Sequence, residues 1–205
     1  MACNPEGAMD RRINQFEKIC TLNAIAGDII VVGEEQGLLS LRAEVDETCG
    51  TVPEGNFEDV VDLSAPHPSL QRLMEIAEYR FAMAVTAVLA RSAENMDIIR
   101  ELCSAVGETQ KIDAEAEIND AFTWFEMNVL DGMPCDQTKG YFEEGNDQLK
   151  WEKLMDTHEE AWQKAGSDVA IYYELQKCYV NGMFSDSKIR YDVQDGMVFT
   201  LTMEQ

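Results

Sequence analysis

Apolar positions change period several times along the chain, and each change predicts a change of element. Ile13, Phe16, Cys20 and Ala24 recur at helical spacing. They predict an amphipathic helix over residues 10–26, capped by Asp10 and stopped at Gly27. Residues 29–32, Ile-Ile-Val-Val between two glycines, are short and β-branched and predict a strand. After a turn at residues 33–37, Leu39, Leu41, Ala43 and Val45 alternate with Ser40, Arg42 and Glu44. That alternation predicts a second strand over 38–45 and thus an N-terminal hairpin. Residues 1–9 have the composition of a flexible arm.

Residues 46–69 form a connection punctuated by Pro53, Pro66 and Pro68, in which 57–63 suits a strand or a helical turn. Helical periodicity then dominates. Ser69 caps a helix over 69–91 whose inner stripe includes Leu70, Leu73, Met74, Ala77, Phe81, Ala84, Val85 and Val88. A helix from Asn95 carries Ile98, Ile99, Leu102, Cys103 and Val106 and stops at Gly107. Asp113 starts another, with Ile118, Ala121, Phe122, Phe125 and Val129 inside, ended by Gly132 and Pro134. A loop runs to residue 146. A helix over 147–165 would align Trp151, Leu154, Met155, His158, Ala161 and Trp162, and a last helix covers about 168–181. The period returns to two in Ile189, Tyr191 and Val193, then Val198, Thr200 and Thr202, around an Asp195-Gly196 turn: a hairpin over 187–203.

The fold class expected is therefore α+β, one domain over 1–205. It is a predominantly helical bundle with its helical core at 69–182, and a small antiparallel sheet made from the N-terminal and C-terminal hairpins, since an isolated hairpin is marginal.

Composition bounds the function. The hydrophobic share of 45% in 205 residues is enough to build a core. The first residues show no signal-peptide pattern, and the longest apolar run, 81–90, is about half of what a membrane span needs. Six cysteines, with no C-x-x-C pair, read as reduced thiols in a cytoplasmic protein. Thirty-nine Asp and Glu against sixteen Lys and Arg leave a formal charge of −23. That charge argues against direct nucleic-acid binding and against an anionic membrane surface.

No motif compels a chemistry. His67 lies in a loop, His158 lacks the Glu-x-x-His spacing of a carboxylate-bridged metal pair, and no phosphate-binding glycine loop is present. No catalytic residue, metal or cofactor is assigned; an enzyme reading would rest on His158 beside Glu159 alone. Cys49 and Cys135 sit beside acidic residues, which disfavour a thiolate.

Charge carries the functional expectation. Residues 43–71 and 112–138 hold no Lys or Arg. The reading is an acidic, non-enzymatic interaction protein, an inhibitor, adaptor or assembly subunit, that binds a basic protein partner. Mimicry of nucleic-acid phosphates toward a nucleic-acid-binding protein is one concrete form. The interaction residues are Trp124 and Met127, either an exposed anchor or part of a second buried face, rimmed by Glu115, Glu117, Asp120 and Asp131. The alternative is a helical small-ligand-binding regulatory module, its pocket lined by Trp151, His158, Trp162, Tyr172 and Tyr179.

Overall fold

A computed structural model describes residues 5–145, 147–195 and 197–204. Helix α1 runs unbroken over Pro5–Glu35, so residues 5–9 are helical rather than an arm, and the stretch read as helix, stop and strand is one element. The reason lies in which side chains turn inward. Phe16, Ile19, Leu22, Ile25, Ala26, Ile29 and Ile30 are all buried, a spacing of three and four, while Val31 faces solvent. Burial of a full helical stripe overrides the β-preference of 29–32 and the helix-weakening Gly27. Gly33 is needed for a different reason: a Cβ there would lie 2.6 Å from Leu41 Cδ2 and 3.0 Å from Val88 Cγ2.

The chain reverses at Gly37, whose φ of 97° suits glycine. Helix α2, Leu41–Cys49, then occupies the second supposed strand. Its buried residues are Leu41 and Val45, while Leu39 is 85% exposed. An alternating pattern also contains an i, i+4 pair, and here only that pair is used. Helix α3, Phe57–Val60, resolves 57–63 as a helical turn and sets Phe57 edge-on to Phe16 at 5.9 Å.

Helix α4, Pro66–Arg91, starts a turn before Ser69, with proline in its first turn. Helix α5 spans Asn95–Glu108. Helix α6, Ile118–Asn128, begins later than Asp113, where Glu117 and Asp120 form a reciprocal capping box.

Residues 139–153 depart most from expectation. Strand β1, Lys139–Glu144, lies within the supposed loop, and strand β2, Gln148–Lys153, replaces the first half of the supposed 147–165 helix. Only a short helix α7, Glu159–Lys164, remains of it. Leu149, Trp151 and Lys153 alternate inward, whereas Leu154 and Met155 are 62% and 47% exposed. Helix α8 covers Ala170–Met183, and the C-terminal hairpin forms as strands β3, Ile189–Gln194, and β4, Val198–Met203. Gly196 of its turn lies outside the described residues.

The sheet is antiparallel with order β1-β2-β4-β3. The helix-dominated α+β class stands, but the second hairpin of the sheet is β1–β2, not residues 29–45. Trp151, Tyr191 and Phe199 stack on its inner face and meet Phe122 and Phe125 of α6. At the β3 edge the side chain of Asn181 accepts from Tyr191 N–H and donates to Tyr191 C=O, both at 2.9 Å. It thus occupies the backbone groups that another strand would pair with.

Helices α5 and α8 cross in near backbone contact. A Cβ at Gly107 would lie 2.0 Å from Tyr179 O, and one at Gly182 would lie 2.2 Å from Ser104 O. Gly107 is thus a packing residue rather than a stop. Gly182→Ala should destabilise by about 2 kcal/mol or more, because backbone cannot yield as a side chain can. Gly27→Ala, with nothing within 4 Å of the new Cβ, should stabilise by about 0.5–1 kcal/mol if α1 is continuous. Urea unfolding of both variants checks this; a destabilising Gly27→Ala would contradict the continuous helix.

Candidate functional site

Four elements contribute charged groups to the interior. Glu78 is buried on the inner stripe of α4 between Met74 and Phe81. Asp131 follows α6, its side chain one-tenth exposed. Lys153 ends β2 on the buried side of the strand. His158 caps the start of α7 and is fully buried. Together they make a chain. His158 Nδ1 lies 2.9 Å from Glu78 Oε1, and His158 Nε2 lies 3.7 Å from Asp131 Oδ1 and 3.4 Å from the Thr157 hydroxyl. Lys153 Nζ reaches Asp131 Oδ1 at 2.8 Å and donates to the Tyr173 hydroxyl at 3.0 Å.

Lys139 sits directly opposite Lys153 across the β1–β2 pair, an arrangement that is repulsive by itself. Asp131 resolves it by taking one lysine on each oxygen, with Lys139 Nζ at 3.1 Å from Oδ2. Lys139 also pairs with Glu126 at 2.7 Å. The His158 ring stacks on Tyr172 with centroids 3.7 Å apart.

The charge states follow from these contacts. Burial pushes the His158 pKa down, but the Glu78 carboxylate, helped by the bond to it and by Asp131, outweighs burial. The balance raises its pKa above the usual 6.5 and favours the protonated ring. Burial pushes the Asp131 carboxyl up, but His158, Lys153 and Lys139 together hold it well below the usual carboxylate range. A general acid must reach its substrate. The His158 ring, covered by Tyr172 and flanked by two carboxylates, is part of the charge balance inside the fold.

Two clefts of about 380 Å³ each flank the chain. One lies between α4 and α7 and has Glu78, Arg72, Tyr79 and Thr157 on its walls. The other lies between α1 and the segment that follows α6, with Gln15, Lys18, Asp131 and Lys139 on its walls. Burial pulls the Lys18 amine down to about 8 despite the nearby Glu126.

The residues expected from sequence fall into three sets. Glu115, Glu117 and Asp120 are exposed, and Met127 is 47% exposed at the end of α6. Trp124 is half-buried against the core, with Nε1 donating to Gln110 O at 2.8 Å, so it is not a free anchor. Asp131 is not on the acidic rim, because two lysines and His158 draw it inward. The supposed pocket residues fill the interior instead of lining one cavity. Trp151 belongs to the sheet's aromatic stack, and Trp162 meets Phe81 edge-on. The Tyr172 hydroxyl donates to Leu130 O, and that of Tyr179 to Gln110 Oε1. Tyr172 and Tyr179 border a void of only about 40 Å³, room for water and not for a ligand.

Sequence reasoning missed Glu78, Lys139 and Lys153. A signal for Glu78 existed: a carboxylate on an apolar helical stripe needs a partner. Among the described residues, no group of three or more His, Cys, Asp or Glu is arranged to hold a metal ion, and no helix is long and apolar enough to cross a membrane. No protein-family model, curated protein or solved structure matches the chain.

Asp131→Asn should cost about 3–5 kcal/mol, because it leaves the buried Lys153 without a counter-charge and takes one of two carboxylates from Lys139 and from His158. The pH profile has a definite sign. His158 binds its proton more tightly folded than unfolded, so its contribution is full below pH 6.5 and is lost as pH rises through the raised native value. Asp131 contributes above pH 3.8, and its contribution is lost as pH falls toward the lower native value. Urea titrations should therefore show stability falling on either side of this window. His158→Gln should flatten the decline on the alkaline side; an unchanged decline would exclude His158 as its source.

Proposed function

We propose that the protein is an acidic, non-enzymatic interaction protein that binds a basic protein surface as an inhibitor, adaptor or assembly subunit. The observation that carries this reading is where the charges lie. Basic side chains are engaged in ion pairs within the chain: Arg42 with Glu34, Arg80 with Asp46, Arg100 with Asp97 and Glu174, Lys111 with Asp186, Lys177 with Asp192. Lys139 and Lys153 are turned inward to Asp131. The two base-free stretches face solvent, with Glu44, Glu47, Glu54, Glu58, Asp59 and Asp62 exposed in one and Asp113, Glu115, Glu117 and Asp120 in the other. Carboxylates are thus clustered at the surface along two stretches that carry no base of their own, and such a field steers basic partners.

Met127, within the second stretch, supplies apolar contact, and Trp124 braces the helix from below. A nucleic-acid-binding protein is one partner of this kind, with the exposed carboxylates standing where phosphates would. The setting we propose is cytoplasmic, where thiols such as Cys20, Cys103 and Cys178, free in this structure, stay reduced.

The test begins with capture from native lysate at low salt and elution in a salt gradient, which supplies a partner for kinetics. The triple variant Glu115→Lys, Glu117→Lys, Asp120→Lys should slow association with that partner by roughly tenfold and flatten its salt dependence. An unchanged salt slope would exclude this face as the docking surface.

A further inference from the structure

In a chain of net charge −23, one cleft has only basic charge on its described walls. It lies between α1, the start of α4 and residues 133–135, and its volume is about 340 Å³. Arg11 and Arg12 border it from α1, and His67 borders it from the first turn of α4; no Asp or Glu does. The two clefts beside the buried ion chain differ: Glu75 and Glu160 border one, Glu126 and Asp136 the other.

The fold leaves these bases available. Arg12 and His67 are exposed, and neither makes a hydrogen bond or ion pair with another described residue. The first turn of α4 contains no carboxylate, and no side chain caps it, so nothing offsets the partial positive charge of that helix end. Asp136, next in sequence to the third wall, borders the neighbouring cleft instead. Its Oδ2 accepts from Met133 N–H at 2.8 Å, and its Oδ1 lies 3.8 Å from Cys135 Sγ. Leu70, Met133 and Pro134 complete the walls with apolar surface.

We propose that this cleft binds a small organic phosphate monoester, its phosphoryl oxygens accepting from the Arg12 guanidinium and the His67 ring N–H. Such a group carries a charge of about −1.5 to −2 at pH 7 and three strong acceptor oxygens. It suits a site with more basic groups than one carboxylate would answer. Arg12 offers a planar pair of donors that matches two of those oxygens. The volume leaves room beyond the phosphoryl group for an organic portion, which packs against Leu70, Met133 and Pro134. The chain's net negative charge opposes approach, but exposed charges are largely screened beyond about 8 Å at physiological salt, whereas Arg12 and His67 touch the ligand. This inference is independent of the partner reading: the ligand has the opposite sign, and the cleft involves neither Met127 nor the acidic segment around Glu115.

The test is a titration of the ¹⁵N-labelled full chain at pH 7 with phenyl phosphate, inorganic phosphate, benzoate and a short phosphoserine peptide. The His67 ring protons, assigned by their loss in His67→Gln, report on the site directly. Phenyl phosphate should give saturable shifts at His67 and in residues 11–15 and 133–135, with inorganic phosphate and benzoate binding roughly tenfold more weakly. It should also slow alkylation of Cys135 by iodoacetamide, because that exposed thiol shares the cleft. Arg12→Ala should weaken binding roughly tenfold. Arg91→Ala removes the same charge from an exposed position at the far end of α4 and should leave binding unchanged. No saturable shift with any phosphate, or equal losses in Arg12→Ala and Arg91→Ala, would overturn the site. Benzoate binding as tightly as phenyl phosphate would overturn the ligand class, and tighter binding of the phosphoserine peptide would overturn the assignment to a small molecule.

Discussion

A positive charge in the interior is the constraint to which much of the structure answers. Lys153 is a buried cation and His158 a buried ring whose proton its surroundings favour, and each needs a carboxylate that its own element does not supply. Glu78 comes from α4 and Asp131 from the segment after α6, so the ions can be neutralised only when the β1–β2 hairpin, α4 and α7 are seated together. Such a chain adds little net stability over an apolar replacement, since desolvation consumes most of the attraction. Its effect is on alternatives. A register slip of one residue in β2 would turn Lys153 to solvent and leave Asp131 facing Lys139 alone.

The same residues show what was legible in sequence and what was not. The inner stripes of α4 and α5, the presence of α8 and the alternation of β3 and β4 were readable, since one period fits each and no other does. Residues 29–45 were misread because Ile-Ile-Val-Val belongs equally to a strand and to a helix buried on one face. The pair Leu41 and Val45 likewise occurs in both periods. Residues 147–158 failed in the opposite sense. Trp151, Leu154, Met155 and His158 fit a helical stripe, but the residues that are buried include Leu149, Trp151 and Lys153. A lysine at an inward position breaks the apolar pattern by which a strand is recognised, and its counter-ion is 22 residues earlier in the chain. β1, an edge strand of Lys, Gly, Tyr, Phe and two Glu, carries no alternation at all. The candidate site was legible only in part. His158 was noticed as inward-facing, but the carboxylate that matters is Glu78, not the adjacent Glu159, and only the tertiary fold brings it near.

Charge is sorted between interior and surface, and that sorting connects fold with function. Lysines and arginines serve as internal counter-ions: Arg80, for example, joins α1, α2 and α4 through Asn23, Asp46 and Gly50 O. Arg80 and Lys153 are withdrawn from the surface in this way, and the acidic stretches are left to project a field over distances comparable to the Debye length, about 8 Å at physiological salt. An acidic surface of this kind repels copies of itself and attracts basic proteins.

The most direct test of this account is the protonation state of His158 in the folded protein, read from the side-chain ¹⁵N shifts of both ring nitrogens across pH 5 to 9. Exposed His67 is the only other histidine in the chain, so two ring systems suffice for assignment. The account predicts that one ring, assigned to His158 by its loss in His158→Gln, carries protons on both nitrogens at pH 7 and titrates above 6.5. A neutral His158 ring at pH 7, with one bare nitrogen, would contradict the buried ion chain and with it the reason given for the seating of the sheet.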